Sequence, residues 1–261
     1  MGVRINTNIE ALNAQRNLGM TATAFGKSVE KLSSGLRINR AADDAAGLAI
    51  SEKLRAQVNG LNQAQRNAQD AISMVQTAEG ALNEVHASLQ RIRELAVEYA
   101  NSGTLGTAEQ ASITAEAAQL MSGITDIEAN TKFNSKDLIG GTAGTVTFQV
   151  GADQGQTLSV SFAALDVSAA SVTSISTVDT AIASVSDMRG TLGAAQNRLE
   201  STVRNLGVAS ENMAASQSRI RDLDVASEMV NFTKLQILQQ AGTAILAQAN
   251  QAPQSVLSLL R

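Results

Sequence analysis

The chain has 261 residues, a net charge of −4, one proline, one histidine and no cysteine, and aromatic residues make up 2% of it. Without cysteine there is neither a disulfide nor a zinc–thiolate site, and a lone histidine excludes a two-histidine metal site within one chain. The mixed, slightly acidic charge gives no footprint for nucleic acid, and no apolar run approaches the length that crosses a bilayer.

Residues 1–36 carry an amphipathic helical pattern. Leu18, Ala22, Phe25, Val29, Leu32 and Leu36 alternate by four and three, with Ile5, Ile9 and Leu12 forming an earlier turn of the same kind. No apolar core of a cleaved secretory peptide is visible at the start. Ser33-Ser34-Gly35 reads as a weak point, and Arg37-Ile38-Asn39-Arg40 as a polar connector. Asp43 or Asp44 is placed to cap the helix that follows.

That helix runs to about Ala100 and carries a seven-residue repeat: Leu54, Leu61, Ala68, Val75, Leu82, Leu89 and Ala96. A second seam, three residues on, reads Gln57, Ala64, Ala71, Ala78, Val85, Ile92 and Tyr99. Apolar heptads with a second seam at three are the pattern of a left-handed coiled coil. Gly60 and Gly80 inside the helix each cost about 1 kcal/mol against alanine, so something is expected to pack closely there. Asn101-Ser102-Gly103-Thr104 breaks the pattern. Ile113, Ala117, Leu120, Ile124 and Ile127 then predict a third helix that turns back beside the first rod.

The middle changes character. Val146, Phe148 and Val150, then Leu158, Val160 and Phe162, alternate with polar residues around Gly151–Gly155, which predicts a β-hairpin at about 145–163. Gly140-Gly141 and the Ser/Thr/Ala-rich run 166–177 read as loops.

The repeat of seven returns at Val178, Val185, Leu192, Leu199, Leu206, Met213 and Ile220, with small or apolar residues three further on. Two matching stripes far apart in sequence predict that the chain's halves pair. The fold class is therefore mainly α, with long antiparallel helical coiled-coil rods and one small central β-hairpin. Each rod would be about 65 Å long at about 1.5 Å per residue. Met229, Leu235, Leu238, Ala241, Ile245 and Leu246 form a further amphipathic segment, which Pro253 should stop near Ala252. The apolar tail Val256–Arg261 needs a burial site.

No convergent catalytic constellation is visible. His86 sits beside the seam residue Val85 and reads as a polar residue at an interface edge. Gly26-Lys27-Ser28 lacks both the first glycine and the preceding strand of a phosphate loop. Asp43-Asp44 and Asp222/Asp224 are better explained by helix starts and solvated faces. The chain is expected not to be an enzyme and to need no cofactor, metal, nucleic acid or membrane.

Leu32-Ser33-Ser34-Gly35-Leu36-Arg37-Ile38-Asn39-Arg40-Ala41, continuing through Asp43-Asp44-Ala45-Ala46-Gly47-Leu48-Ala49-Ile50-Ser51, closely resembles bacterial flagellin. So do Gln76–Leu82, Gln90–Ala96, Ser218–Asp222, Gln239–Gly242, Leu246–Gln251 and the tail. The resemblance is to a short form without the variable outer domains. It implies a structural subunit that polymerises into the flagellar filament for motility, secreted through the flagellar type III export apparatus. Residues 1–43 with 222–261 would form an inner filament-core domain whose ends fold on assembly, and 44–221 an outer helical rod. The implied partners are further copies of the chain, a flagellar secretion chaperone, the filament cap and hook-associated proteins, and host toll-like receptor five. By the same resemblance the receptor would read Gln90, Arg91, Glu94 and Leu95 with Glu116. Cytosolic inflammasome sensors would read the tail residues Val256, Leu257, Leu259 and Leu260. Two alternatives stay open: a hook–filament junction protein, and a secreted coiled-coil ligand of a host receptor.

Overall fold

The computed structural model describes residues 7–101, 103–167 and 170–259, with side chains described as far as Gln251. Its elements are α1 (Ile9–Ser34), α2 (Ala45–Tyr99), α3 (Thr107–Asn130), β1 (Lys132–Phe133), β2 (Lys136–Asp137), β3 (Thr145–Gln149), β4 (Thr157–Ser161), α4 (Ile175–Arg221) and α5 (Val225–Leu259). They divide into two units, one drawn from 57–212 and the other from 1–56 with 213–261.

The 57–212 unit is built on the heptad stripes. From Leu61 to Ala96 every stripe residue of α2 is at most 8% exposed, and Val75, Leu82 and Leu89 are at 0%. Val178, Val185, Leu192, Leu199 and Leu206 are buried on α4. The small residues Ala64, Ala71 and Ala78 fill the second seam at 0–1% exposure, which lets the helix backbones approach closely. The helices run antiparallel: Arg93 pairs with Asp179 at 2.6 Å, and Ser210 donates to Asn62 at 2.8 Å. The same number of residues separates Asn62 from Arg93 as separates Asp179 from Ser210, so the two helices advance in step. The coiled-coil expectation therefore holds.

The third helix buries Ile113, Ala117 and Ile124, as its spacing predicts. Ile113 and Ala117 pack with Leu95 and Ala96 of α2 and with Val172. The predicted hairpin pairs Val146 with Val160 and Phe148 with Leu158. Leu158, Val160 and Phe162 go under, into the helical core, while Thr145, Thr147, Thr157 and Ser159 stay out. Its loop is docked too: an added Cβ on Gly60 would lie 2.9 Å from the Cβ of Ala152, so the loop fills the notch that the glycine leaves. Asn67 donates to the Gln149 carbonyl at 3.0 Å beside it. Gly80, by contrast, has nothing within 4 Å of its missing Cβ.

Three features were not foreseen. A second, minimal hairpin joins β1 to β2 through Asn134 and Ser135, both at positive φ (46° and 66°), the pattern that turns a two-residue hairpin tightly. Leu138 and Ile139, which follow it, are 0% and 1% exposed, and Ile139 accepts from Leu165 N at 3.0 Å. The run 166–177 is less a loop than a coating, since Val167, Ala170 and Val172 are buried and α4 already begins at Ile175.

In the other unit α1 and α5 lie antiparallel. Asn8 caps α1 through Ala11 N at 3.1 Å, and Gly35 closes it in the left-handed conformation at φ 70°. Asp44 caps α2 by accepting from Gly47 N at 2.8 Å. Its neighbour Asp43 accepts from Asn39 N and Arg40 N, at 3.2 and 3.0 Å, and these two bonds hold its carboxyl below the usual range. Asp224 starts α5 by accepting from Ala226 N and Ser227 N. The stop expected near Ala252 does not occur, and α5 continues past Pro253 to Leu259. Proline's own φ is helical, so a helix can pass through it at the cost of a hydrogen bond and local strain.

Candidate assembly interface

The terminal pair is arranged unlike the rods. Along α1 a run of half-buried or buried positions passes through Ala11, Ala14, Leu18, Thr21, Phe25, Ser28 and Leu32, with Ala24, Glu30 and Lys31 half-buried beside it. Along α5 they are Glu228, Phe232, Leu235, Gln239, Gly242, Leu246 and Ala249. Both runs alternate by three and four, so both are heptad seams. Their contents are mixed: Leu18, Phe25, Leu32, Phe232, Leu235 and Leu246 alternate with small or polar residues, and among all of them only Ser28 is fully buried. Ser28 donates to Glu228 at 2.5 Å, Phe25 stacks on Phe232 with ring centres 4.9 Å apart, and Asn8 donates to the Ala249 carbonyl at 2.7 Å. Leu18 lies over Gly242, where an added Cβ would be 3.1 Å from its Cδ1.

Many other large apolar residues face outward. Ile9, Leu12 and Met20 of α1 are 53%, 51% and 59% exposed, and Val230, Ile237 and Ile245 of α5 are 72%, 60% and 59% exposed. Met229, Val230, Ile237 and Leu238 line an open groove of about 520 Å³ with Thr233 and Lys234. The face expected from sequence is therefore split. Leu18, Phe25 and Leu32 turn inward, whereas Ala22 and Val29 are exposed; on α5, Leu235 and Leu246 turn inward, and Met229, Leu238, Ala241 and Ile245 are exposed. Reading polarity alone selects the apolar residues, but here the intramolecular seam runs through Thr21, Ser28 and Gln239. Covering the exposed half of each such Val, Leu or Ile is worth roughly 1 kcal/mol, so a partner that covered this face would gain several times that. Among the described residues of this unit the buried apolar core is Ile38 alone, at 1% exposure. It sits against Gly47, 2.8 Å from where a Cβ would be, so the segment read as a polar connector supplies the plug.

Of the assembly-stripe residues named from sequence, Leu61, Val75, Leu82, Leu89, Leu192, Leu199 and Leu206 lie in the core of the 57–212 unit. Leu54, Met213 and Ile220 belong to the terminal unit and are only half-buried. The candidate receptor residues come together where α2 meets α3. Arg91 donates through Nε and Nη2 to Glu116, at 2.9 and 2.8 Å, and through Nη1 to Glu94 at 3.1 Å. Glu116 first and Glu94 second push the Arg91 pKa upward. Gln90 shares a 3.0 Å hydrogen bond with His86. Leu95 differs from the other four: at 1% exposure it faces the core. The tail residues Val256, Leu257, Leu259 and Leu260 lie outside the described side chains.

Among the described residues no cluster of His, Asp or Glu could hold a metal, and no helix is long and apolar enough to cross a membrane. Family comparison assigns residues 5–144 to the bacterial flagellin N-terminal helical region and 175–260 to the bacterial flagellin C-terminal helical region. The chain is 51% identical to a flagellin of Halalkalibacterium halodurans, over 98% of this chain and 99% of the relative. It is 47% identical to a flagellin of Bacillus subtilis, over 99% and 100%. It is also 46% identical to the flagellar filament 33 kDa core protein of Treponema phagedenis, over 98% and 99%. A crystal structure of Bacillus cereus flagellin superimposes with a TM-score of 0.50 at 30% identity, covering 58% of this chain and 94% of that one.

Proposed function

The chain belongs to the bacterial flagellin family, a structural subunit of the flagellar filament, and from that premise we propose how its two units divide the work. The 57–212 unit is a prefolded rod that needs no partner to bury its stripe. The terminal unit, with the inner domain drawn from about 1–43 and 222–261, is the part completed by neighbouring copies. The observation that carries this reading is the outward apolar face of α1 and α5 over a seam whose residues are mostly only half-buried. A two-helix pair with so little to bury is marginal alone, and it gains its missing contacts when other copies cover it. Copies join head to tail through unlike surfaces, and such an association does not close on itself and grows as a filament.

On this reading the chain acts without catalysis and leaves the cell through the type III export apparatus, its exposed C-terminal helix shielded before export by a secretion chaperone. It is laid down under the filament cap, beyond the hook-associated proteins, in an extracellular flagellum. The ridge of Gln90, Arg91, Glu94 and Glu116 is the surface offered to toll-like receptor five, with Leu95 acting from beneath by fixing α2 against α3.

The test is seeded growth. Short filament fragments are added to purified chain, and growth is followed by light scattering and electron microscopy with far-UV circular dichroism. Long filaments with a rise in helicity are expected, and a chain cut before residue 222 should stay monomeric. Filaments of normal length from the truncated chain would overturn the reading. A full-length chain that is fully helical yet never elongates would point to the junction protein instead.

A further inference from the structure

The two helix breaks in the terminal unit lie opposite each other and are laced together. Leu223 N donates to the Gly35 carbonyl at 3.0 Å, and Arg37 N donates to the Arg221 carbonyl at 2.7 Å. Leu36 and Asp222 form an antiparallel bridge between them. The Arg37 guanidinium then donates to the Ile220 carbonyl twice, through Nε at 3.2 Å and Nη2 at 2.5 Å. The last carbonyls of a helix have no partner within it, and a cation there is favoured by the helix dipole. One residue of the N-terminal half thus caps the helix that ends the C-terminal rod, with three donors on two successive carbonyls.

We infer that this clasp, and Arg37 in particular, sets the register in which α1 and α5 pair. A heptad seam repeats every seven residues, so sliding α5 by one heptad again lays seam on seam. Away from the Ser28–Glu228 and Phe25–Phe232 contacts the seam is largely small residues and leucines, which discriminate weakly between such registers. α1 ends at Gly35 and α5 starts at Val225, so both helices leave the same clasp, and their alignment follows from it as a hairpin's register follows from its turn. The next contact out from the clasp, Ser28 to Glu228, is a polar seam pair of the kind that fixes register. Beyond Leu18 the seam is Ala14, Ala11, Leu246 and Ala249, which would tolerate a slip. Arg37 is a positioning residue for assembly, and the inference rests on the polymerising subunit proposed above.

The chain's lack of cysteine allows a direct reading of register. A Cβ on Gly242 would lie 3.9 Å from the Cβ of Leu18, within the span of a disulfide. Full-length chains carrying Leu18→Cys with Gly242→Cys report the native register, and Leu18→Cys with Leu235→Cys or Ala249→Cys report slips of one heptad. Each is oxidised within seeded filaments, and the ratio of native to slipped cross-links is read by peptide mass spectrometry. The native pair should dominate in the parent. Arg37→Ala should lower the ratio about tenfold or more, the scale of a lost hydrogen bond to a charged group, and Arg37→Lys should recover much of it. If Arg37→Ala chains do not elongate alone, they are co-polymerised at one part in ten with cysteine-free parent chain. An unchanged ratio in Arg37→Ala, or an equal fall in Arg37→Lys and Arg37→Ala, overturns the inference. Failure of the parent chain to elongate would instead strike at the proposed function.

Discussion

Leu82→Ala tests the rod most sharply. Leu82 is 0% exposed and lies in the middle of the α2 stripe, beside a narrow crevice lined by Leu138, Ile139, Phe162, Met188 and Leu192. Truncation removes the transfer free energy of the lost carbons and leaves a cavity. Leu82 lies among Val75, Ala78, Val85 and Leu89, each at 0% exposure, within long continuous helices that have little freedom to close on the gap. A site that does not collapse belongs to the upper part of the range for buried leucines, about 3–5 kcal/mol. For a unit of this size about 1 kcal/mol moves the melting temperature by about 2–4 °C, so the loss should be about 6–20 °C. Differential scanning calorimetry of the full chain measures it, with far-UV circular dichroism to identify the helical transition. Leu54→Ala is the control, since it lies half-buried in the terminal unit and should leave that transition in place. A Leu82→Ala shift below about 3 °C would refute the argument that the helices are held too rigidly to repack.

Two glycines of one helix should behave oppositely. Gly80→Ala adds a methyl group in open space and should stabilise the rod by about 0.5–1 kcal/mol in urea unfolding. Gly60→Ala drives a Cβ against Ala152 and should lose that gain while raising amide exchange in the 151–155 loop. Truncations along α4 should weaken toward the end of the stripe: Leu199→Ala, at 0% exposure, costs about 3 kcal/mol or more, and half-buried Met213→Ala about 1 or less in the same calorimetric transition. The Asp43 carboxyl is held low by the Arg40 and Asn39 amides, so its contribution is present above the ordinary carboxylate pKa of about 3.9 and fades as pH falls through the lower folded value. Exchange of those two amides, corrected for intrinsic pH dependence, should therefore rise only in strong acid, and Asp43→Asn should show the rise at neutral pH. Glu128 is the reverse case, pushed up by burial and then by Asp166. Glu128→Gln should raise the melting temperature slightly at pH 7 and leave it unchanged in acid, where both side chains are neutral.

The stripes were legible because a heptad repeats its own evidence. Leu61 through Ala96 and Val178 through Leu206 each state one periodicity many times, and a long helix has no other way to bury them. Ile38, Leu138, Ile139 and Val172 were missed for the opposite reason. Each is an apolar residue in a segment without period, and only the tertiary arrangement makes it a plug. The terminal helices misled in a third way. Ala22, Val29, Leu238 and Ile245 read as an inward face because the reading assumed that apolar means internal to the chain. In the terminal unit many large apolar side chains, among them Met20, Val230, Ile237 and Ile245, lie on the outside. The candidate receptor ridge was found by resemblance, which grouped Leu95 with Glu94 and Arg91 although its apolar side chain, three residues after Ile92, already placed it on the inward face.

The equal spacing of Asn62 to Arg93 and Asp179 to Ser210 limits how this chain can change length. Deleting one residue between the two contacts of either helix rotates everything beyond it by about 100° about the helix axis, which turns the remaining stripe away from its partner. A lone insertion does the same in the opposite sense. Length can vary more easily only in exposed connections between elements, where no stripe follows in step. Within the rods, gains and losses keep the stripes facing each other only as whole heptads matched in both helices.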